Sequence, residues 1–237
     1  MEPSRTKSLS DVELPELDVT RPAAEQIFAA VKVAILRMDL PPDCLVSENE
    51  VGQKIGASRT PVREAFTQLR EDGLIVTRPS RGNFVSRLSE HRIREAQFIR
   101  EGLELNNLKR LCHTGLTDQD QESLHAVLER QANCVAKSGD LEFQTHDDHF
   151  HEILASATGY ERASTLLKRE KTALDRLRIL SLSDAHRKRD LLDQHRLILE
   201  TVIAGNEKKA CLLMQDHLRA VLSDLASLVA EHRSFFE

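Results

Sequence analysis

From Ser89 to the end of the chain, apolar residues recur at helical spacing, and the pattern breaks at Thr114-Gly115, Ser138-Gly139, Thr158-Gly159, near Ser183 and at Gly205-Asn206. The spacing predicts six helices, over about residues 89–113, 117–137, 140–157, 161–181, 185–204 and 207–232. Amphipathic helices joined by such short links bury their apolar faces only against one another. The expectation is therefore an antiparallel six-helix bundle with its own core. Composition agrees: with nine glycines, seven prolines, one tyrosine and no tryptophan, the chain lacks the turns and aromatics of a β-sandwich or barrel. The fold class expected is mostly α.

Residues 1–20 are polar and acidic and read as a flexible tail. Residues 21–87 carry a different pattern. Ile27, Val31, Ala34 and Ile35 share one helix face, which ends at Leu40-Pro41-Pro42-Asp43. Ser47 with Glu50 three residues on is a capping-box signature for a short helix through Ile55, stopped by Gly56. Thr60-Pro61 reads as the N-cap and first residue of a third helix, which runs to about Asp72. Leu74–Thr77 and Asn83–Val85 read as two strands around a turn at Pro79–Gly82. Helix, helix, turn, helix and hairpin make a winged helix-turn-helix, leaving residues 88–237 as an all-helical second domain.

Net charge is −5, which does not advertise nucleic-acid binding, but its distribution is uneven. Residues 58–87 hold six arginines against three acids, the local positive excess a DNA-binding face needs. On the third helix Val62, Ala65, Phe66 and Leu69 form the apolar side, and Arg59, Thr60, Arg63 and Thr67 the opposite one. Forked guanidinium groups on the first turns of a recognition helix can bond guanine edges or phosphates in the major groove. Arg78, Arg81 and Gly82 sit on the wing. No apolar run approaches the roughly 18 residues of a membrane span, and no secretory leader is visible. Cys44, Cys112, Cys134 and Cys211 lie far apart with no CxxC pair. They read as reduced thiols of a cytoplasmic protein, with no zinc–thiolate site expected.

The helical half places ligand-type residues on apolar faces. Asp147 and His151 share a face with Phe143, Phe150 and Leu154; His195 lies among Leu192, Ile198, Leu199 and Val202; His217 lies among Ala210, Met214, Val221 and Leu225. His195 precedes, and His217 follows, the Gly205-Asn206 turn by about the same helical rise, roughly 15 Å, so neighbouring helices bring them level. Three imidazoles and a carboxylate suit a divalent cation, and zinc, nickel and manganese all accept them. His146 is a rival ligand, whereas His149 should face away.

Two resemblances follow. Gly56-Ala57-Ser58-Arg59-Thr60-Pro61-Val62-Arg63-Glu64-Ala65, with Leu69, Gly73-Leu74-Ile75 and Arg81-Gly82-Asn83-Phe84-Val85, resembles the N-terminal domain of the GntR superfamily of bacterial transcription regulators. This implies a homodimer on double-stranded operator DNA, with Arg59, Thr60, Pro61, Arg63 and the wing at Gly82 close to the duplex. The chain departs from that pattern at Asp39 and Asp43, where glycine is common. Arg100-x-x-x-Glu104, Asp147-x-x-Phe150-His151, Gln194-His195-Arg196 and Asp216-His217-Leu218 resemble the FCD effector domain of the FadR subfamily, in its six-helix VanR-like branch. That resemblance implies a metal held by Asp147, His151, His195 and His217 beside a pocket for a small carboxylate. Arg100, with Glu104 and Asn107, is then the candidate effector contact; the alternative for Arg100 is a helix-face salt bridge to Glu104.

The reading is a ligand-responsive regulator and not an enzyme, expected to be a repressor. A direct metal sensor is the alternative. A metal-dependent hydrolase is remote, because no second carboxylate is placed as a general base. Arg59→Ala or Arg63→Ala is expected to abolish operator binding in a gel-shift assay while leaving effector affinity nearly intact. Wild-type retention of operator by both variants would mean that the recognition face lies elsewhere.

Overall fold

The computed structural model describes residues 8–135, 140–181 and 185–237, so the expected breaks at Ser138-Gly139 and near Ser183 lie outside the described residues. The chain divides into two compact units, residues 1–89 with 232–237 and residues 90–231.

The first unit, the head, contains α1 (Ala23–Leu36), β1 (Leu45–Val46), α2 (Glu48–Ile55), α3 (Arg59–Glu71), β2 (Ile75–Arg78) and β3 (Gly82–Val85). The sheet order is β1-β3-β2, all antiparallel, with Leu45 and Val76 both paired to Phe84. β1 is two residues long, too short for a period to reveal in the sequence. Ile27, Val31, Ile35, Val51, Val62, Phe66, Leu69, Leu74 and Val85 form one core, so the apolar faces read from the sequence are those that pack. Ser47 caps α2 by accepting from the Glu50 N–H, and Gly56 closes that helix at φ +72°. The start of α3 differs from expectation. Ser58, in extended conformation, is the N-cap, so Thr60 and Pro61 already lie in the first turn. Proline is tolerated there because the missing N–H has no helical partner in that turn. Asp43 occupies the left-handed region at φ +64°, as its glycine-like position requires; at the neighbouring turn it is Met38, at φ +59°, and not Asp39.

Two boundaries are corrected. The described part of the expected tail is docked: Leu9 and Val12 are buried in the head core, with Leu14 and Leu17 packed against it. Lys54 Nζ donates to the carbonyls of Ser10 and Val12, both at 2.9 Å. The Gln26 amide brackets the backbone of Asp18. The acidic residues between these leucines and valines hid an apolar series that is enough to dock the segment. The second correction concerns the C-terminus, expected to end the helical domain. Leu88 and Phe236 form a parallel bridge, in which the Leu88 N–H donates to the Phe235 carbonyl at 2.8 Å and the Glu237 N–H to the Leu88 carbonyl at 3.0 Å. Phe236 is fully buried, and residues 232–237 belong to the head.

The second unit consists of α4 (Glu90–Thr114), α5 (Asp118–Val135), α6 (Asp140–Ala157), α7 (Glu161–Ser181), α8 (Ala185–Ile203) and α9 (Glu207–Glu231). These are the six helices of the spacing. α4 packs on α6, α7, α8 and α9; α5 packs on α6 and α8; α8 packs on α9. Leu108, Leu111, Leu124, Phe150, Leu154, Leu192, Ile198, Val202, Met214 and Leu218 are among the residues of the main core.

Leu9→Ala should cost the head about 2–4 kcal/mol, the usual penalty for emptying a buried leucine site. The measurement is urea unfolding of the full chain. A loss below about 0.5 kcal/mol, the size of an ordinary surface change, would show that the N-terminal segment does not pack.

Candidate functional site

Asp147 and His151, one turn apart on α6, meet His195 of α8 and His217 of α9 in the bundle interior, and all four are buried. The Nε2 atoms of His151 and His217 are 3.2 Å apart, as are those of His195 and His217. Asp147 Oδ1 lies 3.5 Å from His195 Nε2, and Oδ2 lies 3.9 Å from His151 Nε2. Donors about 2.1 Å from one tetrahedral ion stand about 3.4 Å apart, so these separations fit a single cation.

The other nitrogen of each ring is already tied. His151 Nδ1 lies 2.5 Å from Glu104 Oε2, His195 Nδ1 2.9 Å from Gln131 Oε1, and His217 Nδ1 2.9 Å from Gln194 Oε1. Each of these acceptors takes an N–H from Nδ1, which leaves the Nε2 lone pairs directed at one another. Outer partners of this kind orient metal-ligating histidines. Phe150 stacks on the His195 ring with centroids 4.3 Å apart and fixes its plane. Burial, and then the neighbouring histidines, hold His195 and His217 well below the ordinary imidazole range, so both rings are neutral and able to ligate. Neither oxygen of the buried Asp147 accepts a hydrogen bond among the described residues, although the Arg178 guanidinium of α7 lies in contact with it. A buried carboxylate beside three converging lone pairs is a donor set that could hold a cation, with Arg178 paired to the same carboxylate.

The three residues expected to contact an effector take different places. Arg100 Nε donates to Glu104 Oε1 at 2.9 Å, so the salt-bridge alternative is realised. Glu104 therefore joins Arg100 to His151. Burial pushes its carboxyl up, but His151 and Arg100 outweigh burial and hold it well below the ordinary carboxylate range. Asn107 is buried about one turn farther along α4. Arg100 also lines a pocket beside His217 with Arg178, Arg187, Leu191, Leu218 and Val221. Gln131, Arg178 and Arg187 were not singled out from the sequence, and Gln194 entered only as part of the motif around His195. Gln131 carried a readable signal, because it lies one turn from Leu128 and Cys134 on the apolar face of α5.

In the head, Arg59, Thr60, Arg63 and Thr67 form an exposed face along α3, with Pro61 half-buried among them, and Arg81 and Gly82 are exposed at the hairpin tip. Thr67 Oγ1 donates to the Arg63 carbonyl at 2.9 Å. Gly82 has φ +104°, and a Cβ there would meet Leu45 Cδ1 at 3.1 Å, so this turn needs glycine. Arg78 behaves differently from the rest of the wing. It pairs with Asp43 and lies over the Phe84 ring, 4.4 Å from its centroid. Asp43 also holds Arg87 at 2.6 Å. Burial raises the Asp43 carboxyl, but Arg78 and Arg87 hold it below its ordinary range. The aspartate that replaces a customary glycine thus anchors the base of the wing.

Comparison with known proteins matches both units. Residues 23–85 match the model of "Bacterial regulatory proteins, gntR family", and residues 95–220 match the FCD domain. The chain is 35% identical over 211 residues to an HTH-type transcriptional regulator in unstable DNA locus from Streptomyces ambofaciens, covering 89% of this chain and 88% of that one. It is 28% identical to the HTH-type transcriptional repressor RspR of Escherichia coli K12, covering 93% of this chain and 96% of the repressor. A crystal structure of a GntR transcriptional regulator from Rhodococcus sp. RHA1 superposes with a TM-score of 0.72 at 25% identity, over 86% of this chain and 97% of that one.

Glu104→Ala should destabilise the bundle by about 3–5 kcal/mol, because Arg100 loses its counter-charge in a buried site. Glu104→Gln, which keeps an acceptor, should recover part of that loss. Chemical unfolding of both variants decides, and a cost under about 1 kcal/mol for the alanine variant would put Glu104 in contact with water.

Proposed function

Because this chain belongs to the GntR family of bacterial regulatory proteins and carries an FCD domain, we propose that it is a ligand-responsive repressor of the FadR type, whose bundle holds a divalent metal ion and reads a small organic acid. It is a transcription regulator; the repressor sign, the metal, the acid and the cytoplasmic homodimer are the proposal. The single observation that supports it most is the convergence of three Nε2 lone pairs and one carboxylate, each ring locked from behind by Glu104, Gln131 or Gln194.

Asp147, His151, His195 and His217 would hold the ion. When bound, it supplies a net positive charge and an open position for a carboxylate oxygen. Arg100, Arg178 and Arg187 line the pocket beside His217 and would orient further acid groups through paired N–H donors. In the head, Arg59 and Arg63 would reach into the major groove and Arg81 would approach the backbone, once per half-site of a pseudo-palindromic operator. The acid acts as a signal only if it binds the operator-competent and operator-free states with different affinity.

The test is operator binding by the full-length protein, followed by fluorescence anisotropy across a set of organic acids with and without chelator. An acid is expected to weaken operator binding about tenfold or more, and chelation or His217→Ala should erase that response. Gln131→Leu should lower metal affinity about 10–100-fold. A response that survives complete metal removal would overturn the metal-dependent reading. A response to metal alone would make the ion itself the signal.

A further inference from the structure

A second constellation of soft and hard ligands lies on the same bundle, outside the four-residue site. Cys134 is on the last turn of α5, and Glu142 and His146 are one turn apart at the start of α6. Their ligand atoms, one thiol sulfur, one carboxylate oxygen and one imidazole nitrogen, all lie within 4.8 Å of one another. Cys134 is buried against Phe143, Val135 and Leu191. His146 is half-buried and Glu142 exposed, so the cluster runs from the core to the surface and an ion has a way in.

From the sequence His146 reads only as a rival ligand of the four-residue centre, and Cys134 as a lone reduced thiol. Cys134 and His146 are twelve positions apart, and the cysteine has no nearby thiol. Packing of α5 on α6 brings the three groups together.

We propose that Cys134, Glu142 and His146 bind a thiophilic divalent cation, zinc in the first instance, at a site separate from the Asp147, His151, His195 and His217 centre. The charge balance is favourable. A thiolate and a carboxylate neutralise a divalent ion, with a neutral imidazole as the third ligand and one position open to water. The thiol must lose its proton on binding, so one proton per site is released to solvent. The thiolate also sets this site's preference for zinc, cadmium and cobalt, whereas the four-residue centre offers only nitrogen and oxygen.

Its position gives the site a use. Gln131, which holds His195, is one turn before Cys134 on α5, and Asp147 directly follows His146 on α6. An ion here would clip the two helices together one turn from Gln131 and next to Asp147. Occupancy of the clip should therefore tighten the four-residue centre without touching it.

The experiment is a cobalt(II) titration of the full-length, reduced protein followed by absorption spectroscopy. A sulfur-to-cobalt charge-transfer band in the near ultraviolet is expected. Cys134→Ser should remove that band, and His146→Ala and Glu142→Gln should each weaken its binding isotherm about tenfold or more. His217→Ala should leave the band intact, which separates this site from the nitrogen and oxygen centre. The proposal is overturned if the wild type shows no such band, if Cys134→Ser retains it (making Cys112 or Cys211 its source), or if neither His146→Ala nor Glu142→Gln moves the isotherm. Circular dichroism confirms that each variant is folded, and His146→Ala, outside the packed core, keeps the test decisive should Cys134→Ser unfold.

Discussion

Three imidazoles taken out of water must have every nitrogen accounted for, and that requirement sets how α4, α5, α6, α8 and α9 are placed. Each buried polar group left unpaired costs about 1–3 kcal/mol. The fold meets the cost at the outer nitrogens with Glu104 from α4, Gln131 from α5 and Gln194 from α8. Only one helical register brings all three acceptors behind their rings, because sliding a helix by one turn moves its side chains about 5 Å. The polar cluster therefore specifies which arrangement of apolar faces is adopted, while the leucines around it supply most of the burial. Among the described residues the inner nitrogens face one another and the Asp147 carboxylate, and this asymmetry marks the cluster as the candidate site.

Much of this was legible because the relevant signals are local. Helix periodicity placed all six bundle helices, and where their ends fall among the described residues they agree to within a residue, since glycine or a polar turn marks those breaks. His195 and His217 could be placed at one depth because a single turn separates their helices. Asp147 and His151 could be paired because they are one turn apart. The acceptors behind the rings were not legible in the same way. Glutamines on an apolar face announce a buried partner without saying which one, and Gln131 and His195 are 64 residues apart. Arg178 is likewise defined only by what it meets across the α6–α7 packing. Arg100 shows the limit of chemistry without geometry. Its charge was read correctly, but whether it faces Glu104 or a ligand depends on a side-chain direction that sequence does not carry.

The head shows the same division. SRTPVREA and the hairpin were plain, because a capped helix and a glycine turn are local devices. The docking of Leu9 and Val12 was hidden, since two apolar residues in an acidic setting carry no period. Asp43 is the instructive substitution. Its backbone does the work of a glycine, and its carboxylate ties Arg78 and Arg87 to the wing's base. A position that looked like a departure from pattern adds a contact that glycine could not make.

The bridge between Leu88 and Phe236 has a practical consequence. The polypeptide leaves the head at Ser89 and comes back at His232, so one protease nick at either crossing leaves the halves covalently joined. A head fragment cloned to stop at Ser89 would be missing its final piece. The socket of Phe236 would then be open to solvent, with Leu88 stripped of its backbone partner at a raw edge that invites strand-to-strand clumping. Soluble preparation of that fragment calls for the six C-terminal residues to be supplied, by fusion or as a peptide.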